Sequence, residues 1–383
     1  MNDISNFLPK VLIVDLSMDY GGSSSRVLSL MTKAPPGKIA LAGLRSSAIT
    51  QQAKQLNLPV HILGQHKVDP HILSHLMHLI RTQGYLILDT QNIQSKFWAS
   101  IAAKLTNTTL VSTINSWYAN EHGHSSIKGK IYTALELSTN WGLSLYITVS
   151  EKDRQALLRS KITEDAIELI HNAVEVDPAK ILGSPDWLCN KFDLPFQSLV
   201  CVAVGRLVQV KGYDILIDAA QRIVSKVSEF ICIIVGEGEC KEALRRQIQR
   251  AGLENQIRLV GFQNRETVLS ILKSSDIFVM PSRYEGTPIA LLEAAALGCP
   301  ILASSCGGIP ELVTNDVHAL LVQPNDSIAL AEGLLRLSTD RKYAHSLGQN
   351  AQQKVQKDFN IHAQVRNTWN AYQKARSRHN KQA

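Results

Sequence analysis

Two carboxylates stand eight positions apart, at Glu285 and Glu293, in the segment PSRYEGTPIALLEAAALG. Thr287 followed by Pro288 predicts a helix that begins there, with Thr287 as its N-cap. This helix is apolar on every side except at Glu293, so we expect that carboxylate to be buried and to need hydrogen-bonding partners. Hydroxyl groups of a ribose or hexose would supply them. The alternative is that Glu293 pairs with a buried arginine and that Glu285 is a surface loop residue.

Groups that attract an anion occur at two places in the same half of the chain. The N–H groups of Ile289 and Ala290 belong to the first turn of the expected helix, where they have no partner within the helix and favour a phosphate. The loop VGRLVQVKG carries Arg206 and Lys211 directly after an apolar stretch. An arginine can bind two oxygens at once and a lysine supplies a point charge, so the two residues suit a diphosphate. A basic loop after a strand is common, and by itself it identifies no site.

Short apolar strands that alternate with helix-length amphipathic stretches are expected to position these residues. The predicted strands are 11–16, 85–90, 109–114, 145–150, 199–205, 231–236, 257–262, 277–280 and 300–304. The predicted helices of the second half are 212–228, 239–252, 265–274, 288–298 and roughly 341–376. Strands that are apolar on both faces are typical of parallel sheets with helices on both sides. The pattern therefore predicts an α/β fold built from doubly wound sheets.

The alternation lapses between residues 177 and 198, where three prolines occur and no period is sustained, which predicts a domain boundary. We expect a first domain over 1–180, a linker over 178–197 and a second domain over 195–358. Each domain would be Rossmann-like and doubly wound, and the two would face each other across a cleft. Open α/β sheets bind ligands at the carboxyl ends of their strands, so the cleft is the expected site. Residues 360–383 are expected to cross back and complete the first domain.

Composition and pattern exclude several classes of protein. The chain has 383 residues, and its 40 Lys and Arg against 33 Asp and Glu give a formal charge of +7. With 45% hydrophobic and 19% charged residues, it is neither disordered nor fibrous. No apolar run approaches the roughly 18 residues of a membrane span, and nothing predicts nucleic-acid binding. The segment VGEGEC begins like a dinucleotide-binding fingerprint, but Lys241 stands at the third glycine position, which disfavours a Rossmann oxidoreductase.

The cysteines and the N-terminal segment predict the compartment. The six cysteines include no C-x-x-C pair and most lie in apolar segments, which predicts buried thiols of a reducing compartment. The N-terminal segment has no basic stretch before an apolar core, so we expect no secretory signal and a cytoplasmic location. A periplasmic type of ligand-binding module, which needs export, is disfavoured. The basic tail from Lys374 to Lys381 predicts peripheral contact with the inner face of an anionic membrane, with a solvated, frayed tail as the alternative.

Taken in order along the chain, several segments resemble the GT4 family of retaining glycosyltransferases, which have the GT-B architecture. GRLVQVKGYDILIDAAQRI resembles that family's diphosphate loop and following helix, and EGTPIALLEAAALGCPILAS resembles its E-x7-E element, followed by CGGIPELV. In the first domain, Gly21-Gly22 resembles the glycine loop near the donor phosphates. The resemblance covers most of the chain. E-x7-E alone is a weak pattern, whereas the ordered set along the second domain is specific.

The resemblance implies a nucleotide-diphosphate-sugar donor held mainly by the second domain, with the acceptor meeting the first. Arg206 and Lys211 would neutralise the diphosphate as it leaves. Glu285 would contact the sugar-ring hydroxyls and orient the donor, and Glu293 would hold the ribose hydroxyls. The further donor-binding positions implied are Gly21, Gly22, Asn115, Gly286, Thr287, Ile289, Ala290, Gly261 and Phe262, of which the last two would lie near the nucleobase.

Two positions depart from the family pattern, and one of them is Ala319, which stands where a glycine is usual in the loop after the second-domain helix. Family members have a histidine after the strand 109–114, where this chain has Asn115. Asparagine can donate and accept hydrogen bonds, but it carries neither a charge nor a titrating proton. His122 and His124, a few residues further on, could substitute for the missing histidine in space. No D-x-D sequence occurs and two cations are available for the diphosphate, so we expect neither a metal nor a cofactor beyond the donor substrate.

The sequence therefore predicts a retaining glycosyltransferase that moves a hexose or N-acetylhexosamine to a hydroxyl of a glycan, lipid-linked or small-molecule acceptor. Synthesis of a cell-surface glycan or glycolipid is the expected context. Two alternatives remain open at this point. A nucleotide-sugar epimerase of the same fold would turn over the donor without an acceptor. A catalytically silent, nucleotide-binding partner subunit would need no turnover at all, and Asn115 is the residue that keeps this second alternative open.

Overall fold

The structure, a computed structural model, describes residues 8–117, 127–227 and 229–382, without the side chains of residues 128 and 382. The chain divides into two compact units. The first contains the residues up to Ala173 together with those from Ile361 onward, and the second is Val174–Asn360. Each unit contains one parallel sheet connected through helices. The predicted fold class, α/β with two doubly wound sheets, is thereby confirmed.

The first unit is built on seven described strands in the spatial order β3-β2-β1-β4-β5-β6-β7. The strands are β1 (Val11–Asp15), β2 (Ile39–Leu44), β3 (Val60–Gly64), β4 (Ile87–Thr90), β5 (Thr109–Ile114), β6 (Leu143–Thr148) and β7 (Ile167–Leu169). The helices that connect them are α1 (Gly22–Lys33), α2 (Ala48–Gln55), α3 (His71–Gln83), α4 (Ile93–Thr106), α5 (Ile127–Ser138) and α6 (Glu151–Arg159).

Alternate residues of β1 face opposite sides of the first sheet. Val11 and Ile13 pack with the helix α1 in one buried cluster, whereas Leu12 and Val14 pack with α3 and α4 in another. Successive side chains of a strand point to opposite faces, so a strand buried on both faces reads as a continuous apolar run. The order of the strands reverses between β1 and β4, which leaves a crevice at their carboxyl ends.

The second unit is built on six described strands in the order β10-β9-β8-β11-β12-β13. The strands are β8 (Leu199–Val204), β9 (Phe230–Val235), β10 (Ile257–Gly261), β11 (Ile277–Met280), β12 (Ile301–Ser304) and β13 (Leu320–Val322). The helices are α7 (Pro185–Phe192), α8 (Tyr213–Ile223), α9 (Lys241–Ala251), α10 (Arg265–Ser274), α11 (Ile289–Ala296), α12 (Ile309–Leu312), α13 (Ser327–Thr339) and α14 (Arg341–Asp358). Here the order reverses between β8 and β11.

The prediction of a single helix over roughly 341–376 is wrong, because the structure has two helices in this part of the chain. The helix α14 ends at Asp358, and α15 (Ile361–Gln382) follows after a break at Phe359 and Asn360. The break lies where the chain leaves the second unit and returns to the first, and a continuous helix could not serve both cores. Within the first unit α15 packs against α1, β5 and β6 and buries Trp369 and Tyr372.

Residues 178–197, predicted as a linker, belong to the second unit and contain the helix α7. The Ser184 hydroxyl caps this helix by accepting from the N–H of Trp187 at 3.1 Å, and Pro185 occupies its first turn. Leu188 and Cys189 are buried. The helix has eight residues, which is too short for a helical period to stand out in the sequence.

Candidate functional site

The basic loop and the first carboxylate of the E-x7-E element lie at the point where the second sheet reverses its strand order. Arg206 and Lys211 follow β8, and Glu285 follows β11, the neighbour of β8. Because parallel strands end at one edge of their sheet, the two loops start side by side. The loops after such a pair of strands diverge and form a crevice, which is where open α/β sheets bind ligands.

Lys211 and Glu285 form an ion pair in this crevice. Lys211 Nζ lies 2.7 Å from Oε1 and 2.8 Å from Oε2 of Glu285, and the Ser282 hydroxyl donates to Oε1 at 2.6 Å. The Glu285 side chain is 8% exposed and that of Lys211 20%. The alternative in which Glu285 is a surface loop residue is therefore wrong. A charged pair this well buried is held by its own hydrogen bonds rather than by solvent.

The backbone of Glu285 is fixed by the segment CGG that follows β12. The N–H of Gly308 donates to the Glu285 carbonyl at 2.9 Å, and Cys306 Sγ donates to the Ser282 carbonyl at 3.2 Å. Gly307 has φ +55°, and a side-chain carbon added there would lie 1.7 Å from the Glu285 carbonyl oxygen. Only glycine allows this approach, which explains the glycine at position 307.

Lys211 is positioned by a tight turn. It ends the 3-10 turn Gln209–Lys211, and Gly212 follows with φ +67°. A side-chain carbon at Gly212 would lie 2.1 Å from the Pro281 carbonyl oxygen. The backbone after Lys211 therefore touches the backbone just before Ser282, and this close approach brings the lysine within reach of Glu285.

Arg283 clamps these two loops together, and sequence reasoning missed it. Its N–H donates to the Val210 carbonyl at 2.7 Å, and its Nη1 donates to the Gln209 carbonyl at 2.6 Å. Nη1 and Nη2 also bind the two carboxylate oxygens of Asp214 at 2.9 and 2.6 Å. The hydrogen bonds to Asp214 raise the pKa of Arg283 above its ordinary value. Such a forked, two-point contact fixes geometry, so Arg283 holds the Lys211 turn in register with the Glu285 loop.

Glu293 pairs with an arginine, as in the alternative interpretation, but this arginine is not buried. Arg265, the first residue of α10, donates from Nε to Glu293 Oε1 at 2.8 Å. Burial raises the pKa of the Glu293 carboxyl, and the charge and hydrogen bond of Arg265 lower it. Arg265 itself is partly exposed, so the pair lies at the edge of the site rather than inside the core. A second ligand can therefore share this carboxylate only from the open side of the pair.

The helix α11 starts one residue later than predicted. Its N-cap is Pro288, with φ −71° and ψ 116°, and Ile289 is the first helical residue. The prediction that Thr287 is the N-cap was wrong. The fixed φ of Pro288 is compatible with both the N-cap and the first helical position, but its ψ lies in the extended region, which makes it the N-cap. Ile289 and Ala290 belong to the first turn as expected, and Gly286 and Thr287 are buried in the loop before it.

The loop that carries Arg206 is braced by the segment VGEGEC after β9. The N–H of Leu207 donates to the Glu237 carbonyl at 2.8 Å, and the N–H of Cys240 donates to the Leu207 carbonyl at 2.8 Å. These residues support the basic loop, which is consistent with rejecting a dinucleotide fingerprint there. Arg206 is exposed beside the buried Tyr213, whose pKa is raised by burial and lowered by the charge of Arg206.

Gly261 and Phe262 lie at the end of β10, on the same edge of the second sheet. The Gly261 carbonyl accepts from the N–H of Gly236 at 2.9 Å, which ties this loop to the segment after β9. Phe262 follows with a largely exposed side chain. An aromatic ring exposed at this edge of the sheet offers a face on which a nucleobase can stack.

The remaining candidates, Gly21, Gly22 and Asn115, lie in the first unit at the carboxyl edge of its sheet. Gly21 is the N-cap of α1 and Gly22 its first residue, directly after β1. Asn115 follows β5 and donates from Nδ2 towards Gln91 Oε1 at 3.5 Å. The predicted residues thus fall into two groups, one after the carboxyl ends of the strands in each sheet. His122 and His124, the suggested substitutes for Asn115, lie outside the described residues.

Asp15 is a further polar residue at the first reversal point that sequence reasoning missed. It is the last residue of β1 and is buried. Its Oδ1 accepts hydrogen bonds from the Ser17 N–H at 2.8 Å, the Ser17 hydroxyl at 2.6 Å and Asn92 Nδ2 at 2.8 Å, whereas its Oδ2 has no hydrogen-bond partner. Burial raises the pKa of Asp15. The sequence VLIVD gave one signal, a lone acid at the end of an apolar run.

Two features of the described residues bear on metals and membranes. Among residues 8–117, 127–227 and 229–382, no group of three or more His, Cys, Asp or Glu is arranged to hold a metal ion. Within the same ranges no helix combines the length and the apolar character that crossing a bilayer requires.

Two family models match successive parts of the chain. Residues 46–178 match Glycosyltransferase Family 4, and residues 190–354 match Glycosyl transferases group 1. The second match contains the Arg206 loop and both carboxylates of the E-x7-E element. The chain belongs to the family 4 glycosyltransferases.

Curated relatives agree with this assignment. The UDP-Gal:alpha-D-GlcNAc-diphosphoundecaprenol alpha-1,3-galactosyltransferase of Escherichia coli is 28% identical over 75% of this chain and 74% of its own length. The amylovoran biosynthesis glycosyltransferase AmsK of Erwinia amylovora is 35% identical over 45% of this chain and 44% of its own length, so this chain spans less than half of AmsK. Both are glycosyltransferases by name, which gives the epimerase alternative no support.

Solved structures show the same fold. HepE of Anabaena, in a crystal structure with UDP and glucose, matches with a TM-score of 0.82 at 20% identity, over 95% of this chain and 99% of HepE. WaaG, a glycosyltransferase involved in lipopolysaccharide biosynthesis, matches with a TM-score of 0.75 at 13% identity, over 94% of this chain and 98% of WaaG. At these identities the likeness establishes the fold, and the expected GT-B fold class of this glycosyltransferase is confirmed.

Proposed function

We propose that this glycosyltransferase moves a hexose or N-acetylhexosamine from a nucleotide-diphosphate-sugar to a hydroxyl of its acceptor and retains the anomeric configuration. The observation that carries the proposal is the ion pair of Lys211 and Glu285 at the strand-order reversal of the second sheet. In this proposal Lys211 is the cation for the diphosphate, and Glu285, one hydrogen bond away, is the carboxylate for the sugar hydroxyls. The relative from Escherichia coli, whose name specifies UDP-Gal, supports a nucleotide-sugar donor.

Charge at the leaving diphosphate supplies the catalytic effect in this proposal. The C1–O bond to the diphosphate breaks, the C1–O bond to the acceptor forms on the same face, and the acceptor proton passes to the departing phosphate oxygen. Arg206 and Lys211 face increasing negative charge as the first bond breaks, so they stabilise the transition state more than the bound donor. Glu285 holds the sugar ring in orientation. No covalent protein nucleophile takes part.

The nucleotide is held by the loops around this pair. Glu293 accepts from ribose hydroxyls on the side that Arg265 leaves open, and the first turn of α11 with Gly286, Thr287, Ile289 and Ala290 supplies N–H groups to the diphosphate. Gly261 and Phe262 contact the nucleobase. In the first unit, Gly21, Gly22 and Asn115 contact the donor phosphates and sugar.

We further propose that the reaction is independent of metal ions and takes place at the cytoplasmic face of a membrane, on a lipid-linked acceptor in glycan or glycolipid assembly. The two cations of the Arg206 loop take the place of a divalent ion on the diphosphate. The diphosphoundecaprenol in the name of the relative from Escherichia coli supports a lipid-linked acceptor. Activity that survives EDTA is expected, and complete loss that a divalent metal restores would contradict metal independence.

The test is release of the nucleoside diphosphate from UDP-, GDP-, ADP- and dTDP-sugars, with and without lipid-linked and soluble glycan acceptors. We expect acceptor-dependent release with one donor, and nuclear magnetic resonance of the product should show the anomer of the donor. Glu285→Gln serves as the inactive control. Interconversion of the donor sugar without acceptor would instead indicate an epimerase. Absence of turnover with every donor, together with tight nucleotide binding, would indicate a silent subunit.

A further inference from the structure

We infer that one outer face of the first unit, formed by α4, α5 and the turn after α5, docks on the surface of an anionic lipid bilayer. We call it the α4–α5 face. It is defined by exposed apolar side chains on these elements, namely Phe97, Leu105, Ile127, Ile131, Leu135 and Trp141. The proposed lipid-linked acceptor supplies only the reason why this chain would bind a membrane. The docking surface itself is inferred from side-chain exposure and charge.

The helix α5 presents an apolar stripe outward. Ile127, Ile131 and Leu135 recur every fourth residue, so they share one side of the helix, and they are 76, 53 and 48% exposed. Trp141, in the turn after α5, is 45% exposed, and its indole N–H donates to the Ser138 carbonyl. Scattered exposed apolar residues are ordinary, whereas a contiguous stripe of them marks an interaction surface.

The opposite side of α5 is anchored in the first unit. Glu136 is buried and accepts from Lys96 Nζ of α4 at 2.6 Å, and the same ammonium group donates to the Tyr146 hydroxyl at 2.7 Å. Burial lowers the pKa of Lys96. This pair fixes which side of α5 faces inward, so the exposure of Ile131 and Leu135 is set by packing on the other side of the helix.

The charges on α3, α4 and α5 fit an anionic partner. The helices α3 and α4 contain no acidic residue, and the single acid of α5, Glu136, is buried and paired. Exposed cations lie on each of the three helices, at Arg81, Lys104 and Lys130. Each cation near an anionic bilayer contributes about 1 kcal/mol of attraction, and a missing carboxylate removes the opposing repulsion.

These features together favour a bilayer over a second copy of the chain. A twofold contact would place this face against itself, so that Lys104 and Lys130 would approach the same cations of the other copy. A helix that lies in a bilayer surface buries an apolar stripe and keeps lysines at its margin, and tryptophan is enriched at the boundary with water. Each of these three properties is present here.

The basic C-terminal tail is the weaker candidate for membrane contact. Lys374 Nζ pairs with Glu168 at 2.5 Å, and Arg378 pairs with Asp165 and donates to the Ser144 carbonyl at 2.9 Å. Both acids belong to the first unit, so part of the positive charge that the sequence shows in this tail is compensated within the fold.

The test is co-sedimentation of the full chain with vesicles of phosphatidylcholine and phosphatidylglycerol, compared with vesicles of phosphatidylcholine alone. We expect binding to the anionic vesicles. The variant Ile131→Ser/Leu135→Ser should lower the partition coefficient by at least about tenfold, since it removes two apolar groups from the bilayer contact. The charge reversal Lys104→Glu/Lys130→Glu should lower it by a similar factor, and high salt should reduce that difference.

A matched control is Val317→Ser/Ile328→Ser, which removes two exposed apolar side chains of the second unit and should leave vesicle binding unchanged. Failure of wild-type chain to bind anionic vesicles, or equal binding by all variants, would overturn the inference. So would a shift from dimer to monomer in the Ile131→Ser/Leu135→Ser variant with vesicle binding intact, since this would assign the face to a second copy. Nucleoside diphosphate release with a soluble acceptor is measured in parallel. It separates failure of membrane docking from failure of the proposed activity.

Discussion

Lys211 and Glu285 stand 74 positions apart in the chain, yet Lys211 Nζ lies within 2.8 Å of both carboxylate oxygens of Glu285. The contact joins the loops after β8 and β11, the two strands between which the second sheet reverses its order. The pair keeps a cation and a carboxylate side by side, where one can act on a phosphate and the other on a hydroxyl.

Lys211→Ala and Glu285→Gln should each abolish turnover. Removal of one electrostatic contact to the charge that develops in a transition state costs roughly 10²–10³-fold in kcat, and each variant also leaves its former partner without its counter-charge. Steady-state kinetics would measure the loss. Glu242→Gln, which breaks the exposed pair of Glu242 and Arg245 in the same unit, is the control and should keep normal kcat. Full activity of either site variant would remove both residues from the site.

Arg283→Lys should lower activity although it keeps the charge, because lysine cannot hold both oxygens of Asp214 and the Gln209 carbonyl together. We expect about a tenfold loss in kcat/KM for Arg283→Lys and for Asp214→Asn. The double variant should lose little more than either single one, since both act through one clamp. Arg336→Lys, which alters the exposed pair of Arg336 and Asp316, is the control and should leave kcat/KM unchanged. Additive losses in the double variant would show that Arg283 does not position Lys211 through Asp214.

Glu293→Gln should weaken recognition of the ribose. With UDP as the probe, isothermal titration should give about tenfold lower affinity, because a carboxylate accepts a hydroxyl hydrogen bond more strongly than an amide does. The sharper measurement compares UDP with 2′-deoxy-UDP. The wild type should prefer the ribonucleotide, and Glu293→Gln should lose most of that preference. An unchanged preference would assign Glu293 to structural pairing with Arg265 alone.

Asp15→Asn should change how stability depends on pH. Burial raises the pKa of Asp15 above its ordinary value of 3.8, so the folded chain binds the proton more tightly than the unfolded chain. Its contribution to the free energy of unfolding is therefore greatest at low pH and falls as pH rises from 3.8 through the raised pKa. Urea unfolding of wild type and Asp15→Asn at several pH values is the measurement. The free energy of unfolding of the wild type should fall relative to that of Asp15→Asn as pH rises across this range.

Asp316→Asn provides a control of opposite sign for that experiment. The hydrogen bond from the Tyr343 hydroxyl lowers the pKa of Asp316, so its contribution is present above pH 3.8 and is lost as pH falls through the lowered pKa. If Asp15→Asn and wild type kept a constant difference at every pH, Asp15 would not titrate as a buried carboxyl.

Asn115→Ala should lower kcat/KM by about fivefold if this amide contacts the donor, since one hydrogen bond contributes about 1 kcal/mol. Asn115→His should keep activity and acquire a dependence on pH near the usual histidine pKa of about 6.5, because the new side chain titrates there. The pH profile of kcat/KM is the measurement. An Asn115→Ala variant with wild-type kinetics would show that this position has no part in the reaction.

The sequence by itself determined the class of fold and picked out the candidate segments for the site. The strands 109–114 and 277–280 and the helix 265–274 were predicted with the bounds that the structure has, because their apolar runs and caps are local signals. β2 was missed because alanine and glycine fill half of IALAGL, and β7 and β13 because three residues sustain no pattern.

Only the tertiary structure decided which side chains meet. The partner of Glu293 is Arg265 in another helix, and the clamp between Arg283 and Asp214 spans 69 positions. Neither contact has a local pattern, since charged residues near loops are common and their pairing depends on how the strands are ordered in the sheet. The α4–α5 face is a similar case. An apolar stripe on a helix usually faces the core, but the buried pair of Glu136 and Lys96 fixes the other side of α5 inward, so the stripe faces solvent. Periodicity records which residues share a side of an element, and the fold alone decides what that side touches.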